Sequence, residues 1–243
     1  MSIVEQLLAS LPAEAVALRD VRIGPFWTVV WSERGAGLAS TQHAAHSEHG
    51  HRGVGWAGDL LQHSAQEVAA LLRSDSPLEA SLGMAAVNAL LPVDETTLTD
   101  RNAGEEIMQR GKGKRVVIVG HFPFILQVRR AVGHLDVLEL HPGPGDLPAS
   151  AAVDVIPEAD VVAITGTALL NRTFESLVEL CYPEAFVLVL GPTTPLSALL
   201  FACGVNLLAG TVVTDPRAAL TSASQGAIFP QMRGVRLVTM LRP

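Results

Sequence analysis

Two cysteines in 243 residues are too few for a disulfide scaffold. Cys181 and Cys203 fit no metal or redox spacing, and both fall in apolar stretches where a free cysteine acts as a small core residue. A reduced, cytoplasmic chain is the simplest expectation. Charge is also sparse: 17% of residues are charged, the formal net charge is −7, and no stretch concentrates Lys or Arg. That argues against a nucleic-acid groove or an anionic membrane surface and leaves small molecules as the expected ligands. No apolar run reaches the roughly 18 residues of a membrane span. The opening MSIVEQLLAS carries Glu5 and no basic region, so it reads as an amphipathic helix rather than a signal peptide. Nucleotide fingerprints are missing too. There is no Walker A sequence, and Gly120 runs into GHFPFI instead of G-x-G-x-x-G. Phe122 and Phe124 stand where a pyrophosphate would need small residues, which argues against NAD, NADP or FAD held in the usual manner.

Hydrophobic residues make up 49% of the chain, enough for a large core. Two grammars divide it. In the first half, Val16 to Ile23 and Phe26 to Trp31 are candidate strands of a small antiparallel meander, separated by Gly24-Pro25. Two helical patterns follow, SAQEVAALLR and SPLEASLGMAAVNALL. Ser76 caps the second, with Pro77 at its first position and Glu79 three residues after the cap. Leu78, Leu82, Ala85, Ala86 and Ala89 form an apolar stripe at helical spacing. Between Leu91 and Gly113 the chain turns polar, with a short linking helix around Glu105 to Gln109, which divides it into domains over 1–104 and 105–243.

From Lys114 onward, RVVIVG, LDVLEL, ADVVAITG, AFVLVLG and VNLLAGTVV are near-continuous β-branched and leucine runs, as strands buried on both faces require. Their spacing leaves room for crossover helices, so the second half is expected to be an open, mostly parallel α/β sheet. Such sheets bind ligands beyond the carboxyl ends of their strands. Here those ends read GHFPF, EL-HPGPGD, TGTALLNRT, GPTTP and TDP. Pro123 suits the first position of a helix, Thr194 can cap a helix beginning at Pro195, and Asp215 one beginning at Pro216. Glu139, at the end of the second strand, can accept hydrogen bonds from ribose hydroxyls. An adenosyl ligand without a pyrophosphate, such as S-adenosylmethionine, suits that combination better than a dinucleotide does.

Several segments also resemble a known family. GKRVVIVGHFPFI, ADVVAITGTALLNRTFESLVEL and VLVLGPTTPLSALLFACGVNLLAGTVV resemble a bacterial and archaeal domain-of-unknown-function family labelled "putative heavy-metal chelation". SLGMAAVNALL and IGPFWTVVWSERGAGLAST look like its accompanying N-terminal domain. The resemblance implies an enolase N-terminal-like α+β domain followed by a Rossmann-like domain similar to methyltransferases. It also implies a dimer, a site between the domains, and chemistry on pterin-like or siderophore-like molecules. Its matching positions are Asn88, Gly120, Thr165, Gly166, Thr167, Asn171, Thr173, Gly191, Pro192 and Thr194. With Phe122 and Glu139 added, those of the second domain, apart from Thr173, form the candidate ligand-binding set. His121 and Asn88 are the candidate catalytic pair, expected to meet across the domain interface. Glu139, His141 and Asp146 are further acid–base candidates near the cleft. No complete Ser-His-Asp or Cys-His set is visible.

The run HAAHSEHGHRG places His43, His46, His49 and His51 within one short stretch. On a helix, imidazoles three apart can share a face, and imidazole suits zinc, copper, nickel or iron. Two glycines and the lack of an apolar stripe make the run read as a loop, and no metal is assigned to it. The expected function is a small-molecule enzyme using an adenosyl-type ligand for methyl transfer or intramolecular cyclisation. The alternative is a metal or metal-chelate binding protein without turnover.

Overall fold

The protein is represented by a computed structural model that describes residues 1–43 and 53–243. His46, His49 and His51 lie outside the described residues. The first elements are α1 (Ile3–Ala9), β1 (Leu18–Ile23), β2 (Trp27–Ser32), β3 (Ala36–Ser40), α2 (Ala65–Ala70) and α3 (Pro77–Leu90). Next come β4 (Leu98–Thr99), α4 (Ala103–Arg110), β5 (Arg115–Val119), α5 (Ile125–Ala131), β6 (His134–Glu139), β7 (Leu147–Pro148) and α6 (Ala152–Val155). The chain ends with β8 (Val161–Thr165), α7 (Phe174–Glu179), β9 (Phe186–Leu190), α8 (Leu199–Ala202), β10 (Leu207–Val213), α9 (Pro216–Ser224) and β11 (Val235–Leu241). Among the described residues, no helix is long and apolar enough to cross a membrane.

These elements form two compact units. The first comprises Met1–Val93, Pro195–Ser197 and Gly210–Leu237, and the second Asp94–Thr194, Ala198–Ala209 and Val238–Pro243.

In the first unit, β1, β2 and β3 form the expected antiparallel meander, paired in that order. The first strand starts later than its apolar pattern predicts, because Ala17 makes only an isolated bridge, to Ser64. Val29 and Leu38 pack with Ala219, Leu220, Ala223 and Met232, so α9 contributes to this core. Ser64 closes a full capping box on α2 with Glu67. Ser76 caps α3 with Pro77 behind it, as the sequence indicates. The single apolar stripe expected along α3 gives way to burial on every side: Ala80 through Val87 are all buried. Close backbone contacts on two flanks explain this. A Cβ on Gly37 of β3 would lie 2.2 Å from the Ala85 carbonyl oxygen, and one on Gly83 would lie 2.1 Å from the Leu72 nitrogen. A helix enclosed in this way needs no polar face. Its one interior hydroxyl, on Ser81, donates to the Pro77 carbonyl at 2.8 Å and accepts from the Gln42 N–H at 2.9 Å.

The second unit is organised by a sheet of eight strands in the order β4-β11-β10-β9-β8-β5-β6-β7. The pairs β6·β7, β5·β6, β5·β8, β8·β9 and β9·β10 are parallel, and β4 runs antiparallel to β11. Counted from β5, the parallel strands follow the doubly wound order 3-2-1-4-5-6, with the reversal between β5 and β8. The five apolar runs read from the sequence are β5, β6, β8, β9 and β10. They lack alternation because both faces are covered: Val116 and Ile118 lie in a core cluster with Ile107 of α4 and Ile125 and Val128 of α5, while Val117 is 1% exposed.

Helix α4 carries an enclosed carboxylate. Glu106, whose side chain is 8% exposed, accepts from Arg101 at 2.8 Å and from Arg110 at 3.2 Å. Burial alone would raise its pKa, but the two arginines outweigh burial and hold the carboxyl below its usual value of 4.5. With the folded-state pKa depressed, the stabilisation is complete above the unfolded value and fades as pH falls through the folded one. Glu106→Gln is therefore expected to cost roughly 1–3 kcal/mol at neutral pH, the worth of hydrogen bonds to charged groups. It should also flatten the loss of stability in acid, which urea unfolding at pH 7 and pH 3.5 would reveal as a smaller difference in the variant.

Candidate functional site

The carboxyl ends of β5, β8 and β9 meet at the point where strand order reverses. Gly120 extends the ladder by donating to the Leu138 carbonyl at 2.9 Å, then turns out of the sheet at φ +105°. A Cβ there would sit 3.0 Å from Thr165 Cβ, so the ends of β5 and β8 are in close contact. Gly191, at φ +109°, likewise ends β9, its N–H bonded to the Ala209 carbonyl at 3.0 Å. The Phe122 ring reaches both glycines: its edge carbons lie 3.4 Å from a Cβ built on Gly120 and 3.7 Å from one built on Gly191. Phe124 stacks beside it, with centroids 5.3 Å apart. An aromatic ring thus occupies the place where a dinucleotide fold leaves room for a pyrophosphate.

Thr165 caps the turn that follows β8. Its hydroxyl accepts from the Thr167 N–H at 3.4 Å and lies 3.0 Å from the Thr167 hydroxyl. Gly166 presses on the loop after β9, where a Cβ would lie 2.7 Å from both the nitrogen and Oγ1 of Thr194. The helix predicted to begin at Pro195 with Thr194 as its cap does not form; the next helix, α8, starts at Leu199. Thr194 instead closes a turn over Pro192, its N–H bonded to the Gly191 carbonyl at 3.0 Å. Its hydroxyl is buried with no hydrogen-bond partner among the described residues. The tertiary contact with Gly166 has overridden the local capping grammar. Pro123 also departs from expectation: α5 begins at Ile125 after Phe124.

Gly120, Phe122, Thr165, Gly166, Thr167, Gly191, Pro192 and Thr194 therefore belong to one group of strand ends. Glu139 ends β6, the neighbour of β5, half-buried, with one carboxylate oxygen accepting from the Leu140 N–H at 3.2 Å. Asn171 is exposed and occupied locally: its carbonyl oxygen accepts from the Thr173 hydroxyl at 2.7 Å and from the Thr173 N–H at 3.3 Å, at the start of α7. Asn88 belongs to the first unit, where its amide donates to the Leu38 carbonyl at 2.9 Å and ties α3 to β3.

Two of the acid–base candidates are paired. His121 Nδ1 lies 3.4 Å from the Asp146 carboxylate, with the His121 side chain 60% exposed and that of Asp146 7% exposed. The same Asp146 oxygen accepts from the Gly143 N–H at 3.1 Å, which fixes the carboxylate in its loop. That anchoring N–H was missed from sequence, although a glycine three residues before an aspartate in HPGPGD is the signal that would have found it. With Nδ1 turned to the Asp146 carboxylate, Nε2 is the ring nitrogen directed to other partners. Burial pushes the Cys181 thiol up to about 11, and burial together with Glu175 raises that of Cys203. Among the described residues, no three His, Cys, Asp or Glu side chains converge as a metal site would require. His43 is exposed, with its Nε2 3.2 Å from the Pro25 carbonyl.

Known proteins bear out this architecture. Residues 4–91 match the DUF4213 family and residues 102–242 the DUF364 family, both described as "putative heavy-metal chelation". An uncharacterized protein of Methanocaldococcus jannaschii is 26% identical over 178 residues, spanning 70% of this chain and 69% of its own length. A DUF364-family protein of unknown function from Desulfitobacterium hafniense has a crystal structure that superposes with a TM-score of 0.86 at 25% identity, over 99% of this chain and 98% of that one. One from Pyrococcus horikoshii, also of unknown function, shares the fold at 20% identity with a TM-score of 0.80, over 99% of this chain and 98% of that one. By sequence and by fold, the chain belongs to the DUF364 family.

Proposed function

We propose that the second unit is a small-molecule enzyme that holds an adenosyl-type ligand, S-adenosylmethionine in the first instance, at the carboxyl ends of β5, β6, β8 and β9. The observation that carries the reading is the placement of Gly120, just after β5, beside Glu139, at the end of the adjacent strand β6, next to the point of strand reversal. Glu139 would accept from ribose hydroxyls. The Phe122 ring, which disfavours a pyrophosphate, would offer an apolar face to the ligand. Thr165 and Thr167 would contribute hydroxyls. S-adenosylmethionine supplies an activated carbon for methyl transfer or for an intramolecular displacement. The protein's part would be to exclude water, orient the nucleophile, and take up its proton on His121 Nε2 while Asp146 steadies the resulting imidazolium. The reading includes a cytoplasmic homodimer.

Calorimetric titration with S-adenosylmethionine and S-adenosylhomocysteine tests the site directly. Wild-type protein should release heat with both. Glu139→Ala should weaken binding by about ten-fold or more, since one hydrogen bond to a carboxylate is worth roughly 1.5–3 kcal/mol. No heat from wild-type protein at millimolar ligand would sink the reading.

The family description and the histidine run favour a second reading, a metal or metal-chelate binder without turnover. Metal analysis of purified, untagged protein separates the two. A stoichiometric transition metal with no response to either nucleoside would carry the second.

A further inference from the structure

An open cleft of about 500 Å³ lies in the first unit, lined by residues of β1, β2 and α9. Its volume falls within the roughly 300–1,000 Å³ of small-molecule sites. Three arginines and one aspartate line it, a local excess of positive charge in a chain whose net charge is −7. Each arginine is placed differently. The Arg19 guanidinium lies over the Trp31 ring, 5.5 Å from its centroid, an arrangement that holds the planar fork in position. Arg22 is bound through one terminal nitrogen to Asp20 at 2.7 Å, and its other nitrogens bond to nothing among the described residues. Arg217 stands in the first turn of α9 with no acidic partner among the described residues.

Arg217 is the informative one. The first turn of a helix is the positive end of its dipole, where a cation is disfavoured. Asp215 satisfies the free N–H groups of that turn, accepting from Arg217 N at 3.0 Å and from Ala218 N at 3.1 Å, but the guanidinium itself gains no ion pair from this. Arg217 thus lines the cleft together with two more arginines, and its guanidinium has no ion pair among the described residues.

We propose that this cleft binds a small phosphate-bearing molecule, with the guanidinium groups of Arg19, Arg22 and Arg217 on its phosphate oxygens. Fork-shaped donors match phosphate geometry, and charge-assisted hydrogen bonds are stronger than neutral ones. Trp31 supports Arg19 from beneath, and Asp20 limits the rotation of Arg22.

Inorganic pyrophosphate is the probe, titrated calorimetrically into the full chain at constant ionic strength. Wild-type protein should bind it saturably at one site per chain. Arg217→Gln and Arg19→Gln should each weaken binding by about ten-fold or more, the loss of one charge-assisted pair. Arg242→Gln, outside the cleft, should bind as wild type does. All three positions are exposed, so thermal melts should be unchanged. Absence of saturable heat in wild-type protein overturns the proposal, as does undiminished binding by both Arg217→Gln and Arg19→Gln. The S-adenosylhomocysteine titration should be the same in all these variants, so the two sites stand or fall separately.

Discussion

Gly37→Ala is expected to destabilise the first unit by about 3 kcal/mol or more, at the upper end of overpacking costs. The added carbon would lie 2.2 Å from the Ala85 oxygen and 2.3 Å from the Ala89 nitrogen. Both atoms are backbone of α3, so no side-chain rotation relieves the contact. The helix cannot simply retreat either, because Gly83 already packs against the backbone of Leu72 on another flank. A domain's whole stability is roughly 5–15 kcal/mol, so this loss is a large share of it. Urea unfolding followed by circular dichroism gives the measurement. Gly53→Ala is the control, because nothing among the described residues lies within 4 Å of its Cβ position. A Gly37→Ala midpoint equal to that of Gly53→Ala would show that β3 and α3 are not in close backbone contact.

The second large effect is expected at the candidate site. In Gly166→Ala the new methyl would lie 2.7 Å from the nitrogen and Oγ1 of Thr194, so the turn between Gly191 and Thr194 must move. We expect a loss of about 2–3 kcal/mol, since the obstacle is again backbone. Because that turn belongs to the proposed ligand site, nucleoside binding should weaken as well, even where the variant remains folded. Unfolding midpoints and calorimetry on the same sample check both halves. A variant with wild-type stability would refute the close approach of β8 and the loop after β9.

Much of the architecture was legible because it depends on interactions close in sequence or on burial so complete that it shapes composition. Ser76 and Asp215 were recognisable as caps because a cap bonds to backbone two or three residues away. Strands β5, β6, β8, β9 and β10 were recognisable because two covered faces leave no room for polar alternation. Glu139 was placed at a strand end by the same logic. Thr194 shows where such reading stops. Its sequence has good capping grammar, yet a contact with Gly166 from another strand end decides its conformation. Local preference amounts to about 1 kcal/mol and yields readily to packing.

The same division separates the two candidate ligand sites. His121 and Asp146 could be named individually, but their pairing requires the parallel register that brings the loop between β6 and β7 to the end of β5. The arginine cleft was not legible at all. Arg19 and Arg22 stand near the start of the chain and Arg217 near its end, and α9 joins the first unit only after the chain has built the second. By itself, then, the sequence determined which segments become strands and helices and which residues end them, since these follow from hydrogen bonding within a few residues and from total burial. Only the tertiary structure decided which of those ends face one another, because charge pairing and backbone contact depend on distance in space and leave no periodic trace along the chain.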